Sequence, residues 1–312
     1  MSELTPDLIA DVQAELGLPS PALVEKDFHV VRALVALAPF TQAHSAWQAG
    51  MPFLVFGGGT ALCRGHRLIK RMSEDIDLKI ACEQTHGRGA RKRFKHLLTE
   101  ALLEAGFKFD PENREQHVSM YSDTYFLYRV PYVSVVPRIA ALRPEIQIEF
   151  SHFPVHLPTV NCSISSFVAE AKKAAPEIAS FPCIDVVETA AEKFVALTRR
   201  IGEERSNKYD PDDTLLRHIY DLTHIHRTLP VHSVAGLART IMLADAETRG
   251  DKYPAYRADP LAATREAIAA LKSEEDYAQR FDSFQSEMVY GEAVTYSDGM
   301  AMLGEYESLL KD

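Results

Sequence analysis

Residues 54–80 read LVFGGGTALCRGHRLIKRMSEDIDLKI. An apolar run ends in three glycines and a threonine, a basic segment follows, and then Asp75 and Asp77 stand with one isoleucine between them. MPFLVFGG predicts a buried strand running into a glycine turn, while DIDLKIAC, alternating and β-branched, predicts a second strand. On a strand, side chains at i and i+2 leave the same face about 6.6 Å apart along the chain, at a rise of ~3.3 Å per residue. Asp75 and Asp77 can therefore share a metal site. Two like charges this close repel and push one pKa up unless cations neutralise them, which a pair of Mg²⁺ ions about 3.5 to 4 Å apart does. Such ions bind oxygen and keep positions open for phosphates. A glycine turn just upstream lets backbone N–H groups approach a triphosphate with no Cβ in the way, and Thr60 adds a hydroxyl donor.

Other uses of glycine beside acid fail in detail. A dinucleotide fold needs G-x-G-x-x-G opening a helix; Gly57 and Gly59 fit, but Leu62 holds the third position, and two aspartates on a strand are not a ribose signature. A P-loop needs a lysine after its glycines, and Gly59-Thr60-Ala61 offers none. An EF-hand needs more oxygen ligands after Asp77, where Leu78 and Ile80 follow.

The 312-residue chain exceeds the usual single-domain size, and its 46% hydrophobic and 25% charged composition is that of a soluble globular protein. Cys63, Cys82, Cys162 and Cys183 are scattered without a Cys-x-x-Cys, which argues against a zinc knuckle or a secreted disulfide scaffold. No apolar run reaches the roughly 18 residues of a membrane span, and the first residues lack the pattern of a signal peptide, so the expected compartment is the cytoplasm. The net charge is −10, yet residues 60–100 carry ten Lys/Arg against five Asp/Glu. A basic island on an acidic body suits an anionic ligand, and equally two solvated basic surfaces flanking a strand.

Periodicity predicts two amphipathic helices over residues 5–40, broken near Pro19 and Pro21. ARKRFKHLLTEALLEAG predicts a helix ending at Gly106, and VSMYSDTYFLYRV, YVSVVPRIA and EIQIEFS predict three further strands. From about residue 160 the pattern turns helical, through IDVVETAAEKFVALTRRIG, DTLLRHIYDLTHIHRTL and HSVAGLARTIMLADAE, with a polar loop GEERSNKYDPDD between the first two. The expected fold is α/β (α+β): a small mixed sheet with flanking helices over residues 1–158 and a helical C-terminal domain over 159–312.

The GGG-T turn followed by S-E-D-I-D-L resembles the signature of the polymerase-β-type nucleotidyltransferase superfamily, and within it the chain resembles the AbiEii/AbiGii family of type IV toxin–antitoxin and abortive-infection systems. Four blocks carry the likeness: VEKDFHV at 24–30, GGTAL at 58–62 with RMSEDIDL at 71–78, VETAAEKFVAL at 187–197, and LRHIYDL at 216–222. In the last block His218 stands where the family pattern usually has an acid, while Asp221 is retained. The resemblance implies a nucleotidyltransferase using an NTP and two Mg²⁺ ions, with Asp75, Asp77 and Glu149 as metal ligands and Gly58, Gly59, Thr60, Ser73 and Arg217 at the nucleotide. It implies that Lys193 reaches the phosphates and that Asp221 is catalytic. It further implies an RNA acceptor, the 3′ end of a tRNA, with growth arrest as the consequence and a separately encoded antitoxin as partner. Transfer to a protein or small molecule is the rival activity, and an inactive nucleotide-binding module the rival class.

Residue by residue, plainer readings compete. Glu149 sits in EIQIEF with Gln147 on its face and could be a surface glutamate. Lys193 lies at the edge of an apolar stripe beside Ala190, Phe194 and Leu197, where a lysine snorkels. Arg217 and Asp221 have the spacing of an i, i+4 pair. His218, His224 and His226 tempt as a zinc cluster, but on a helix 224 and 226 point nearly opposite ways and no H-E-x-x-H occurs. HGRGARKRFKH at 86–96 could contact an RNA backbone by charge or be a solvated helix start.

Overall fold

The structure, a computed structural model, describes all residues except 1–3, 46, 47, 49, 83–86, 207–210, 213, 250–252 and 311–312. It divides into two compact units, residues 1–67 with 71–185, and residues 68–70 with 186–312.

In the first unit α1 (Pro6–Leu16) starts where Thr5 accepts from the Leu8 N–H and stops at Gly17, whose φ of 62° suits glycine. Ser20 caps α2 (Pro21–Leu37) in the same way, with proline in the first turn of both helices. Next come β1 (Phe53–Gly57), the short turn α3 (Gly58–Thr60) continuing as a π-helical turn Ala61–Gly65, β2 (Asp75–Ala81) and α4 (Arg88–Glu104). After these follow β3 (His117–Met120), β4 (Tyr125–Pro131), β5 (Glu145–Ser151), β6 (Val160–Ile164), α5 (Phe167–Ala171) and β7 (Ile178–Cys183).

One seven-stranded mixed sheet results, in the order β3-β4-β5-β2-β1-β7-β6. β2 runs antiparallel to β1 and parallel to β5, and β7 runs parallel to β1. Ile76, Leu78 and Ile80 from β2 join Ile146, Ile148 and Phe150 from β5 on one face, packed with Val31 and Leu34 of α2 and Phe94 and Leu98 of α4. The intervening residues of β2 and β5 are therefore left to the opposite face, and that alternation positions the site.

Three expectations change. VSMYSDTYFLYRV is a hairpin, β3 and β4, turned through Tyr121, Ser122 and Asp123 at positive φ. YVSVVPRIA is irregular rather than a strand, because the buried Glu25 carboxylate accepts from the Val135 N–H at 2.6 Å and from the Ser134 hydroxyl, so these groups serve no ladder. The sheet also extends past residue 158: β6, α5 and β7 belong to the first unit, and the division falls after Asp185.

The second unit is helical: α6 (Val186–Arg205), α7 (Arg217–His226), α8 (Val231–Arg249), α9 (Pro254–Ala258), α10 (Pro260–Ser273), α11 (Glu275–Met288) and α12 (Tyr296–Leu309). Within it α6 packs on α7, α8 and α10, and a capping box of Thr295 and Asp298 starts α12. Part of the expected loop GEERSNKYDPDD is the end of α6, and residues 207–210 and 213 lie outside the described residues. No helix among the described residues is long and apolar enough to cross a membrane.

Candidate active site

β2 and β5 lie in parallel register with Asp77 opposite Glu149 and Asp75 opposite Gln147. Partners in register share a face, so the three carboxylates expected to act together project from one side of the sheet, opposite the apolar layer. Asp75 is 8% exposed, and Asp77 and Glu149 are half-buried.

The glycine turn closes over them. β1 delivers Gly57 opposite Asp77, and Gly58 follows at φ +70°. A Cβ on residue 58 would stand 1.8 Å from Asp77 Oδ2, so only glycine leaves room for that carboxylate. A Cβ on Gly59 would stand 2.4 Å from Arg71 Nη2 and 2.8 Å from Ser73 Oγ, which puts Ser73 against the turn. The Thr60 hydroxyl is buried and donates to the Asp75 carbonyl, which fastens the turn to β2.

Three residues not singled out from sequence organise the carboxylates. Arg143 donates through Nη1 to Asp75 Oδ1 at 2.5 Å, and its backbone N–H reaches Glu74 Oε2 at 2.9 Å. Lys26, fully buried, lies 3.0 Å from Glu74 Oε2 and donates to the carbonyls of Arg143 at 2.8 Å and Glu145 at 2.6 Å. Burial lowers its pKa while the Glu74 charge works against that shift. The Tyr125 hydroxyl donates to Glu149 Oε2 at 3.1 Å. Burial first, then the Glu149 and Asp77 charges, push the Tyr125 phenol above its usual range, so it remains a donor at neutral pH.

The block VEKDFHV thereby acquires a physical meaning. Glu25 holds the 134–135 loop, Lys26 holds the base of the carboxylate site, and Asp27 accepts from the Phe167 N–H at 2.7 Å while pairing with Arg64 at 3.2 Å. Three consecutive charges on one helix anchor three separate segments. Lys26 stands within a motif block; Arg143 and Tyr125 carry no local signal.

An all-oxygen donor set drawn from two adjacent strands, with the neighbouring backbone cleared by a glycine, fits a hard divalent cation better than a soft one.

The remaining expected residues belong to the second unit. Lys193 on α6 is buried and pairs with the fully buried Asp221 of α7 at 2.8 Å, so its ammonium is held inside rather than snorkelling to solvent. His218 Nδ1 lies 3.5 Å from the same ammonium. Burial, then the Lys193 and Arg217 charges, hold His218 well below its usual pKa, so it is neutral at pH 7. Arg217 is half-buried at the first turn of α7. The other two histidines turn elsewhere: His224 contacts the Glu292 carbonyl at 3.3 Å, and His226 pairs with Glu305 at 3.6 Å.

On α4, Arg88, Lys92 and Arg93 are exposed and Arg91 is half-buried, while Lys95 pairs with Asp123 at 2.7 Å. His86 lies outside the described residues.

The chain matches the family model described as "Nucleotidyl transferase AbiEii toxin, Type IV TA system" over residues 43–293. Among solved structures it is similar to MenT4, a nucleotidyltransferase toxin from Mycobacterium tuberculosis H37Rv, with a TM-score of 0.57 and 20% identity over 99% of this chain and 90% of that one. At that identity the likeness is one of fold. No curated protein matches in sequence.

Proposed function

The chain belongs to the AbiEii family of nucleotidyltransferase toxins, and on that premise we propose that it transfers a nucleoside monophosphate from an NTP to the 3′ hydroxyl of a tRNA, in a Mg²⁺-dependent reaction in the cytoplasm. Growth arrest would follow, relieved by a separately encoded antitoxin. The reading rests on one observation above others: Asp77 and Glu149 lie in register on parallel strands, beneath a glycine that leaves space for the Asp77 carboxylate.

Asp75, Asp77 and Glu149 would hold two Mg²⁺ ions, which when bound neutralise the triphosphate and lower the pKa of the acceptor hydroxyl. Arg143 orients Asp75 and offsets part of its charge, and Tyr125 fixes one oxygen of Glu149. The backbone of Gly58 and Gly59 lets the phosphates approach closely, with Ser73 beside them. By resemblance to the family motif the Lys193 ammonium, paired with Asp221, would reach the phosphates, and Arg217 would be a further phosphate contact. The acceptor oxygen bonds to the α-phosphorus as the bond to the β-phosphate oxygen breaks, and pyrophosphate leaves. Positioning and charge stabilisation carry such a reaction.

The test is incubation with Mg²⁺, each labelled NTP in turn and total cellular RNA. Label in tRNA-sized species, lost on periodate blocking of the 3′ end, is expected. Label on protein or small molecules only, or on nothing, would overturn the reading.

A further inference from the structure

Two of the four cysteines scattered along the sequence are brought together by the β6–β7 pair. Cys162 lies opposite Phe181, and Cys183 opposite Val160, so the two cysteines are diagonal neighbours across the antiparallel ladder. The π-helical turn Ala61–Gly65 delivers His66 to them. Gly65 permits that approach, since a Cβ there would stand 3.0 Å from Cys183 Sγ and 3.4 Å from Cys162 Cβ. His66 Nδ1 lies 3.8 Å from Cys162 Sγ, and the ligand atoms of all three residues fall within 4.8 Å of one another.

The tautomer of His66 follows from its other contact. Nε2 lies 2.9 Å from the Ile184 carbonyl oxygen, which can only accept, so Nε2 carries a proton, and in the neutral imidazole Nδ1 is the lone-pair atom that faces the sulfurs. A histidine whose far N–H is held by a backbone carbonyl is the usual support of a metal-bound imidazole.

We propose that His66, Cys162 and Cys183 form a second metal site, for a thiophilic cation of the Zn²⁺ type. Tetrahedral zinc, with Zn–S of about 2.3 Å and Zn–N of about 2.0 to 2.1 Å, separates sulfur from nitrogen by roughly 3.6 Å and sulfur from sulfur by roughly 3.8 Å. The three ligand atoms need to close by only a few tenths of an ångström to about an ångström to meet those values. Water fills the fourth position. Metal binding displaces the proton of any thiol it takes up, so it is favoured as pH rises. Sulfur and imidazole select a softer ion than the carboxylates of Asp75, Asp77 and Glu149, so the two sites do not compete for one metal. The cation ties the segment that follows Gly58–Thr60 to the β6–β7 edge.

The experiment is Co²⁺ titration of the full-length, reduced chain, followed by visible and near-ultraviolet absorption. Expected are a thiolate-to-cobalt charge-transfer band and intense tetrahedral d–d bands saturating at one equivalent, displaced by Zn²⁺. Cys162→Ser and His66→Gln should each weaken cobalt binding at least tenfold, with far-ultraviolet circular dichroism confirming that the variants fold. Asp77→Asn should keep the charge-transfer band, because carboxylate oxygens cannot produce it. Absence of the band in the reduced wild type, or its persistence in Cys162→Ser, overturns the site; so does a Cys162–Cys183 disulfide that forms under reducing conditions and excludes cobalt.

Discussion

The carboxylate of Asp77 occupies the space that a side chain on residue 58 would need: Oδ2 lies 1.8 Å from the Cβ position of Gly58, whose φ is +70°. Gly58→Ala must therefore accept a left-handed backbone, at about 1 to 2 kcal/mol, and also displace Asp77. Gly17, at φ +62° with nothing within 4 Å of its Cβ position, supplies the control, since Gly17→Ala meets the strain alone. Both variants should melt a few degrees lower, but only Gly58→Ala should lose nucleotide transfer, by about 100-fold or more. Equal activity of the two variants would separate the glycine turn from the chemistry.

Asp77→Asn should abolish transfer, by more than about 100-fold, without lowering the melting temperature. The change is nearly isosteric and removes one of several neighbouring negative charges, so repulsion in the metal-free protein falls. A variant that melts with the wild type and still transfers nucleotide would remove the metal-ligand role.

Lys26→Met should destabilise by about 3 kcal/mol, because it leaves Glu74 buried with only Arg143 to compensate. For unfolding of the first unit, residues 1–67 with 71–185, that corresponds to roughly 6 to 12 °C in Tm, part of which Lys26→Met with Glu74→Gln should recover. Thermal denaturation of the three variants decides it; a double variant no better than the single would mean that Lys26 acts through the carbonyls of Arg143 and Glu145 instead.

How much of this was legible follows from the range of the interactions. The strands flanking the glycine turn, the two N-terminal helices and the alternation that puts Asp75, Asp77 and Glu149 on one face are set by neighbours along the chain, and the sequence carries them. Arg143 reaches Asp75 across 68 residues and Tyr125 reaches Glu149 across 24, neither with a pattern of its own. β7 inserts beside β1 through the single register pair of Phe56 with Cys183 and contains a proline, so its strand signal is weak. The 132–140 segment has the composition of a strand, yet its Val135 amide and Ser134 hydroxyl are claimed by Glu25 from a distant helix. The Lys193–Asp221 pair was present as two motif residues, but nothing local said that they meet.

Two groups on α2 should oppose one another in the pH dependence of stability. Burial raises Asp27 to about 6 despite the Arg64 charge, so between about pH 4 and 6 the folded state binds more protons than the unfolded state and stability falls as pH rises. Burial lowers His29 to about 4, helped by the Arg32 and Lys26 charges, so between about pH 4 and 6.5 the unfolded state binds more protons and stability rises with pH. Each contribution is on the order of 2 to 3 kcal/mol, and in the wild type they largely cancel. Asp27→Asn should unmask a rise in stability from pH 4 to 6.5, and His29→Gln a fall from pH 4 to 6, measured by urea denaturation. Parallel curves for wild type and both variants would contradict both assignments.

The basic face of α4 separates RNA positioning from chemistry. Arg88, Lys92 and Arg93 are exposed, whereas Lys95 is tied to Asp123 and Arg91 is half-buried, so Lys92 and Arg93 are the side chains to remove. If both touch an RNA backbone, each releases a condensed counterion, and the slope of log affinity against log salt changes by about 0.7 to 0.9 for each phosphate no longer neutralised. Lys92→Ala with Arg93→Ala should therefore flatten that slope by roughly 1.5 to 2 units. The transfer rate at saturating RNA should change far less, because these groups would position the acceptor rather than stabilise charge at the reacting phosphorus. An unaltered slope would make this helix a solvated face and move the search for the RNA surface to the helical unit.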